Sequence, residues 1–225
     1  MPGMLMLLLR AVYGLVDAPL RWWATFVKIL LNLGFERLMN PCLLVKFYAD
    51  GTRVRTGLHV DDSQVVGNQA NLRALQKLVE EQLGPLTVQQ GEYAHTGLEL
   101  YQDSKTKSIK ISLVKYTLAI EFIEVTPARR KETKSACTKE EHGMVRSRLG
   151  SGGWVAWNVG GDISVDVAQL QQIAHAPTVA DLLVVNELVG KLHRYARERF
   201  LLYQKLKEPL RMEVIHDSAF RGEQV

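Results

Sequence analysis

The chain of 225 residues is 47% hydrophobic and carries a net charge of +4, enough length and apolar content for a substantial core arranged as two structural units. The charge is compatible with a polyanionic partner but too modest to identify one; the two cysteines, Cys42 and Cys137, show no CxxC spacing, exclude a disulfide framework and suit a reducing intracellular compartment, cytoplasmic or nuclear. The run Leu5 to Leu9 is too short to span a bilayer and lacks a basic leader or small-residue cleavage site, so it reads as the start of a buried segment in a chain with no membrane partner.

The first helix is expected between Asp17 and Gly34. Asp17 suits an N-cap, Pro19 falls in the first turn, and Leu20, Trp23, Phe26, Leu30 and Leu33 recur at helical spacing until Gly34 stops the pattern. Trp22 and Trp23 are both read as core. Cys42 to Tyr48 and Thr52 to Leu58 then flank Asp50-Gly51, a strong hairpin turn. The second of these strands leads into His59-Val60-Asp61-Asp62, and Val65 and Val66 follow before Gly67, which reads as another hairpin whose tip presents two acids. Arg55, Thr56 and Gly57 interrupt the incoming strand and are expected to weaken the sheet or leave its face exposed.

A helix with Leu72, Leu75, Val79 and Leu83 on one side comes next, closed by Gly84-Pro85. A last hairpin pairs Thr96 to Tyr101 with Ile109 to Leu113 around the polar stretch Asp103 to Ser108. From about Val125 to Glu140 the chain is charged and aperiodic, with Arg129-Arg130-Lys131 at its centre, and reads as a linker whose cations could touch a nucleic-acid backbone or simply be solvated. Beyond it the pattern is helical with little strand signal, clearest over Val165 to Ile173 and Val179 to Leu206. Glycines near Gly150 to Gly153 and Gly160-Gly161 are expected to set off a Trp154 to Trp157 segment. The whole reads as an α+β fold, an antiparallel sheet with packed helices followed by a mainly helical segment.

Adjacent acids on a hairpin tip repel one another unless a hard cation sits between them. A Mg²⁺ pair about 3.5–4 Å apart, clamping the attacking and leaving oxygens of a phosphoryl transfer, is the chemistry that uses such a tip. The same dipeptide also occurs in ordinary turns.

The acids keep specific company. Ala11-Val12-Tyr13-Gly14-Leu15-Val16-Asp17-Ala18-Pro19 lies upstream, followed by Trp22-Trp23, Leu33-Gly34-Phe35, Asn40-Pro41-Cys42-Leu43 and then Val60-Asp61-Asp62. This order of motifs resembles the reverse transcriptase of copia-type LTR retrotransposons, with its Leu-Tyr-Gly-Leu-Lys-Gln-Ala-Pro-like segment and Tyr-Val-Asp-Asp box. The likeness continues more weakly through Thr96 to Leu100 and Ile111 to Tyr116. At the far end Val214 to Phe220 resembles the opening strand of the RNase H domain that follows the polymerase in this family.

The resemblance implies an RNA-directed DNA polymerase segment of a Pol polyprotein from a transposable element. It assigns residues 1–124 to a partial palm, 125–140 to the linker, 141–210 to a helical connection or thumb-like segment and 211–225 to the first strand of a truncated RNase H domain. Asp61 and Asp62 would be catalytic carboxylates holding Mg²⁺, with Mn²⁺ as a substitute. Tyr13, Gly14, Ala18 and Pro19 would line the nucleotide and template, and Asp217 would match the first acid of the nuclease site. An RNA or DNA template-primer and deoxynucleoside triphosphates would be the partners. From residue types alone, Tyr13 and Pro19 read first as turn and helix-start residues, and Asp217 as ordinary surface.

The departures from the family also bear on function. His59 stands in place of Tyr beside the acids, Val16-Asp17 in place of Lys-Gln, and Val159-Gly160-Gly161-Asp162-Ile163 in place of Thr-Arg-Pro-Asp-Ile. The third carboxylate and the fingers that the family places upstream are not represented in the ten residues before Ala11, so the isolated chain is expected to be inactive. The competing expectation is a non-catalytic nucleic-acid-binding or interaction relic. A different metal enzyme built on Cys137, His142 and the paired acids has no ligand spacing to recommend it.

Overall fold

A computed structural model describes residues 16–60 and 62–205. The fold is α+β, and the chain divides into two compact units at Val88 and Gln89. The boundary read from sequence at residue 124 falls within the second of these units. Four of the expectations fall outside the described residues: the buried segment at Leu5 to Leu9, the nucleotide-lining pair Tyr13 and Gly14, the acid Asp61, and the strand carrying Asp217.

In the first unit, α1 (Ala18–Asn32) begins at a proline in its first turn and ends where Gly34 takes a positive φ of 85°. Asp17 precedes it, but the Asp17 carboxylate accepts from Arg21 Nε at 2.5 Å and makes no bond to the backbone at the helix start. The expected cap is therefore an ion pair one turn long. Four antiparallel strands follow in the order β1 (Glu36–Arg37), β2 (Leu43–Phe47), β3 (Arg53–His59) and β4 (Asp62–Val66). The β2–β3 turn is closed by Asp50, whose carboxylate accepts from the Thr52 amide and hydroxyl, and by Gly51 at φ 77°. Helix α2 (Gln69–Leu83) is capped by Asn68, whose side chain accepts from the Asn71 amide at 2.8 Å, and is stopped by Gly84 at φ 87°.

Both helices lie on one face of this sheet. Val27 and Leu30 of α1 and Leu75 and Val79 of α2 share a core with Phe35, Leu44, Val54 and Leu58. Trp23 packs against that core as expected, whereas Trp22 is 37% exposed and stacks on Phe26. Among the described residues, α1 and α2 both lie on this side and neither covers the opposite face.

In the second unit, β5 (Glu92–His95), β6 (Leu98–Gln102), β7 (Ile109–Ser112) and β8 (Phe200–Tyr203) form a second antiparallel sheet in that order. The hairpin of β6 and β7 matches the sequence reading; β5 and β8 were not expected. Three long helices, α4 (Lys139–Asn158), α5 (Ser164–Ile173) and α6 (Val179–Arg194), bury Val145, Leu149, Val155, Val167, Leu182, Val185, Val189 and Leu192 against one another. The short α3 (Val114–Leu118) leads into an extended stretch whose Ile120 and Ile123 join the same core.

Two helix boundaries differ from the expectation. Gly150, Gly152 and Gly153 do not separate segments but lie inside α4, whose start is fixed by a capping box between Thr138 and Glu141. Gly152 is buried among the neighbouring helices, where a Cβ would make ordinary contacts with Val167, Leu188 and Leu192 at 3.5 to 3.7 Å. Helix α6 ends at Arg194 rather than continuing toward Leu206. Arg199 folds back and donates to the carbonyls of Lys191 and Leu192, which terminates the helix.

The charged stretch 125–140 is anchored. Arg129 donates to both carboxylate oxygens of Glu141 at 3.0 and 2.8 Å, to Glu132 and to the Ala136 carbonyl. These partners hold a 3₁₀ turn, Arg129–Lys131, against the start of α4.

Candidate functional site

The His59-Val60-Asp61-Asp62 tip is built by the register of β3 against β4. Arg55 faces Val66, Gly57 faces Gln64, and His59 faces Asp62. The chain reverses between the last pair, and Val60 takes a φ of 53°, the left-handed conformation that hairpin turns of two residues require. A β-branched residue there is strained. Asp61 lies outside the described residues.

Alternation along β3 decides which side of the sheet the tip serves. Val54, Thr56 and Leu58 are buried toward the helices, so Arg53, Arg55, Gly57 and His59 belong to the open face. Asp62, directly opposite His59, belongs to that face as well. The central strand is thus not broken by Arg55, Thr56 and Gly57, since these residues pair with both neighbours, β2 covering Arg53 to Gly57 and β4 covering Arg55 to His59. The exposed face follows from the arginines pointing away from the core.

The arrangement brings Asp62 onto one surface with Arg53 and Arg55, a grouping the motif reading missed by treating Arg55 as a blemish. The signal was present in the sequence as the period-two pattern Arg53, Arg55, Gly57, His59 set against Val54, Thr56, Leu58. Leu43, Val45 and Phe47 of β2 lie on the same face; Leu43 and Phe47 are 43% and 60% exposed, whereas Val45 between them is 3% exposed. A Cβ at Gly57 would come within 3.4 Å of Leu43 Cδ2, its cross-strand neighbour on this surface.

Ala18 and Pro19 occupy the first turn of α1, in the layer behind the sheet. They share no face with Asp62; their described role is to start a helix. Pro19 does so because its missing N–H is one that a first turn leaves unbonded in any case.

A Mg²⁺ ion takes one or two carboxylates and fills its remaining positions with water or phosphate oxygens. Asp62 fits that donor type, being an exposed carboxylate at the start of an edge strand; it and Asp61 are the residues that would hold the ion. Among the described residues no group of three or more His, Cys, Asp and Glu side chains comes together. Cys137 and His142 serve the fold instead. The Cys137 thiol donates to the Thr178 carbonyl at 3.2 Å, with burial pushing its pKa up, and His142 Nε2 donates to the Ala174 carbonyl at 2.7 Å.

Compared with known proteins, the chain matches no protein-family model, no curated protein and no solved structure. No helix among the described residues is long and apolar enough to cross a membrane.

Proposed function

We propose that the chain is a segment of a copia-type reverse transcriptase, with Asp61 and Asp62 as its metal-holding acids and an RNA or DNA template-primer as its partner. The ancestral reaction is templated nucleotidyl transfer from deoxynucleoside triphosphates. The observation that supports this reading is the position of Asp62 on the same sheet face as Arg53 and Arg55, the side away from α1 and α2. A nucleic-acid backbone laid on that face would meet cations along β3 and carboxylate at its end.

The roles divide by chemistry. Bound Mg²⁺ supplies charge stabilisation at the attacking and leaving oxygens. Asp62 and Asp61 contribute the hard oxygen donors, and Arg53 and Arg55 contribute phosphate contacts that position the strand without reading its sequence. The isolated chain is proposed to bind template-primer without extending it. Val16 stands where the family has a lysine, and the neighbouring Asp17 carboxylate is paired with Arg21, so the family's lysine charge has no counterpart at that position.

Fluorescence anisotropy of a labelled RNA–DNA primer-template, titrated at several salt concentrations with and without Mg²⁺, tests the reading. The expected result is an affinity that falls linearly with salt on logarithmic axes, and a slope reduced by about 2 in the Arg53→Ala, Arg55→Ala double variant. Asp61→Asn with Asp62→Asn should abolish the Mg²⁺-dependent part alone. Binding that keeps its salt slope and ignores the acid substitutions would favour the second reading, a nucleic-acid-binding relic, which the exposed arginines support without the acids. No binding at low salt overturns both.

A further inference from the structure

Helix α4 carries an aromatic surface that the second unit does not use. Trp157 is 87% exposed and Trp154 39%, on the side of the helix opposite the buried Val145, Leu149, Gly152 and Val155. The same exposed side carries Gly143, Arg146 and Gly150 toward its N-terminal half. Glycine is a poor helix residue, and these two have no packing reason among the described residues: a Cβ at either Gly143 or Gly150 would meet nothing within 4 Å. Two tryptophans left in water and two unexplained glycines on one helix face break local rules together, which marks a site whose gain lies outside the folded chain.

We infer that this face of α4 is a homodimer interface in which two copies of the helix pack antiparallel about a twofold axis at Gly150. Gly143 and Trp157 lie seven residues before and after Gly150, so each tryptophan meets the glycine of the other copy, about 10 Å from the axis along the helix. Gly150 meets its own copy at the closest approach, where two helix backbones need the smallest side chains. Trp154 and Arg146 lie four residues either side of the axis and face one another, which sets a guanidinium on an indole face, the favoured cation–π pair. This match of charge to aromatic face recurs twice by symmetry and brings no like charges together. A parallel pairing would stack bulk on bulk at one end and leave glycine against glycine at the other, so the distribution of side chains selects the antiparallel, isologous arrangement.

Sedimentation velocity of the full chain across the micromolar range is the test, with Trp157→Ala and Gly150→Leu as variants. The open space around Gly150 lets the leucine variant keep its fold, and circular dichroism verifies it. The expected result is a reversible wild-type dimer, with dissociation constants raised at least tenfold in both variants. Under mild oxidation Gly150→Cys should give a disulfide-linked dimer absent from the unsubstituted chain. Gly143→Cys should not, because its copies lie about 20 Å apart along the paired helices. A wild-type chain that stays monomeric overturns the inference, as does an association undiminished in a folded Gly150→Leu chain or a Gly143→Cys variant that cross-links as readily as Gly150→Cys.

Discussion

Arg199 and Asp162 meet through two parallel contacts, Nε to Oδ1 and Nη2 to Oδ2, each at 2.9 Å, while Arg199 Nη1 reaches the Leu192 carbonyl at 3.2 Å. One guanidinium therefore satisfies an anion and closes the C-terminus of α6. The Arg199 side chain is 5% exposed and Asp162 is 55% exposed, so most of the cost of disruption falls on the arginine's own partners. Arg199→Met should lower the unfolding free energy by about 2 kcal/mol, read from the urea midpoint. It should also fray the last turn of α6 in hydrogen exchange.

The same pair predicts a pH response. Arg199 holds the Asp162 carboxyl below its ordinary range, chiefly through the hydrogen bond between them. A carboxylate depressed in the folded state stabilises it above the unfolded value, near about 4, and that contribution is lost as pH falls through the lower folded value. Urea midpoints measured from neutral pH downward should fall more steeply below about pH 4 in the wild type than in Arg199→Met. Parallel curves would count against the pair as the source.

Glu141 serves two neighbours. It accepts from the Thr138 amide at 2.8 Å as half of a capping box and from Arg129 through both oxygens. Glu141→Ala should therefore cost about 2 kcal/mol, more than the ~1 kcal/mol typical of a lost cap. In a double-mutant cycle with Arg129→Ala the two costs should fall short of additivity, since each substitution removes the same ion pair.

Asn186 holds the backbone of Ile123 at both ends, accepting from its amide and donating to its carbonyl, each at 2.8 Å. Ile123 is 2% exposed, so water cannot replace either bond without opening the core. Asn186→Leu should cost about 3 kcal/mol by orphaning two buried backbone groups. The amide of Ile123 should lose protection in hydrogen exchange before those of the α6 interior.

Thr56 and Gly67 predict opposite outcomes in the first unit. The Thr56 hydroxyl is buried with no hydrogen-bond partner among the described residues, so Thr56→Val should stabilise this unit by about 1 kcal/mol. A Cβ on Gly67 would come within 2.7 Å of Val54 Cγ2, a fully buried side chain, with Arg53 O behind it. Gly67→Ala should destabilise by about 1–3 kcal/mol. Denaturant titration followed by the fluorescence of Trp22 and Trp23 reports both.

Local chemistry made much of this fold legible. Gly34, Gly51 and Gly84 each take the positive φ that their place after a helix or in a hairpin demands, so α1, α2 and the β2–β3 hairpin could be read from punctuation and period. What escaped was set by distant partners. Phe200 to Tyr203 is a continuous apolar run that extends the helical pattern of α6, and only pairing with β7 makes it a strand. The glycines of α4 resemble a break until the capping box and the neighbouring helices are seen to carry the helix through them. At the candidate site, motif order singled out the acids, whereas the alternation that groups Asp62 with Arg53 and Arg55 becomes meaningful only once the helices are known to cover the other face.

The stretch from Ile120 to Ile123 is held with no neighbouring strand. Arg148 takes the Glu121 carbonyl, His193 the Ile120 carbonyl and Asn186 both ends of Ile123. Side chains from α4 and α6 thus grip main chain in the manner of a receptor gripping a peptide. The stretch is in effect an internal ligand, tethered at both ends and kept on its site by the high effective concentration of its own chain. Occupancy is then a binding equilibrium within one molecule, and a free peptide spanning these residues would compete for the same side chains.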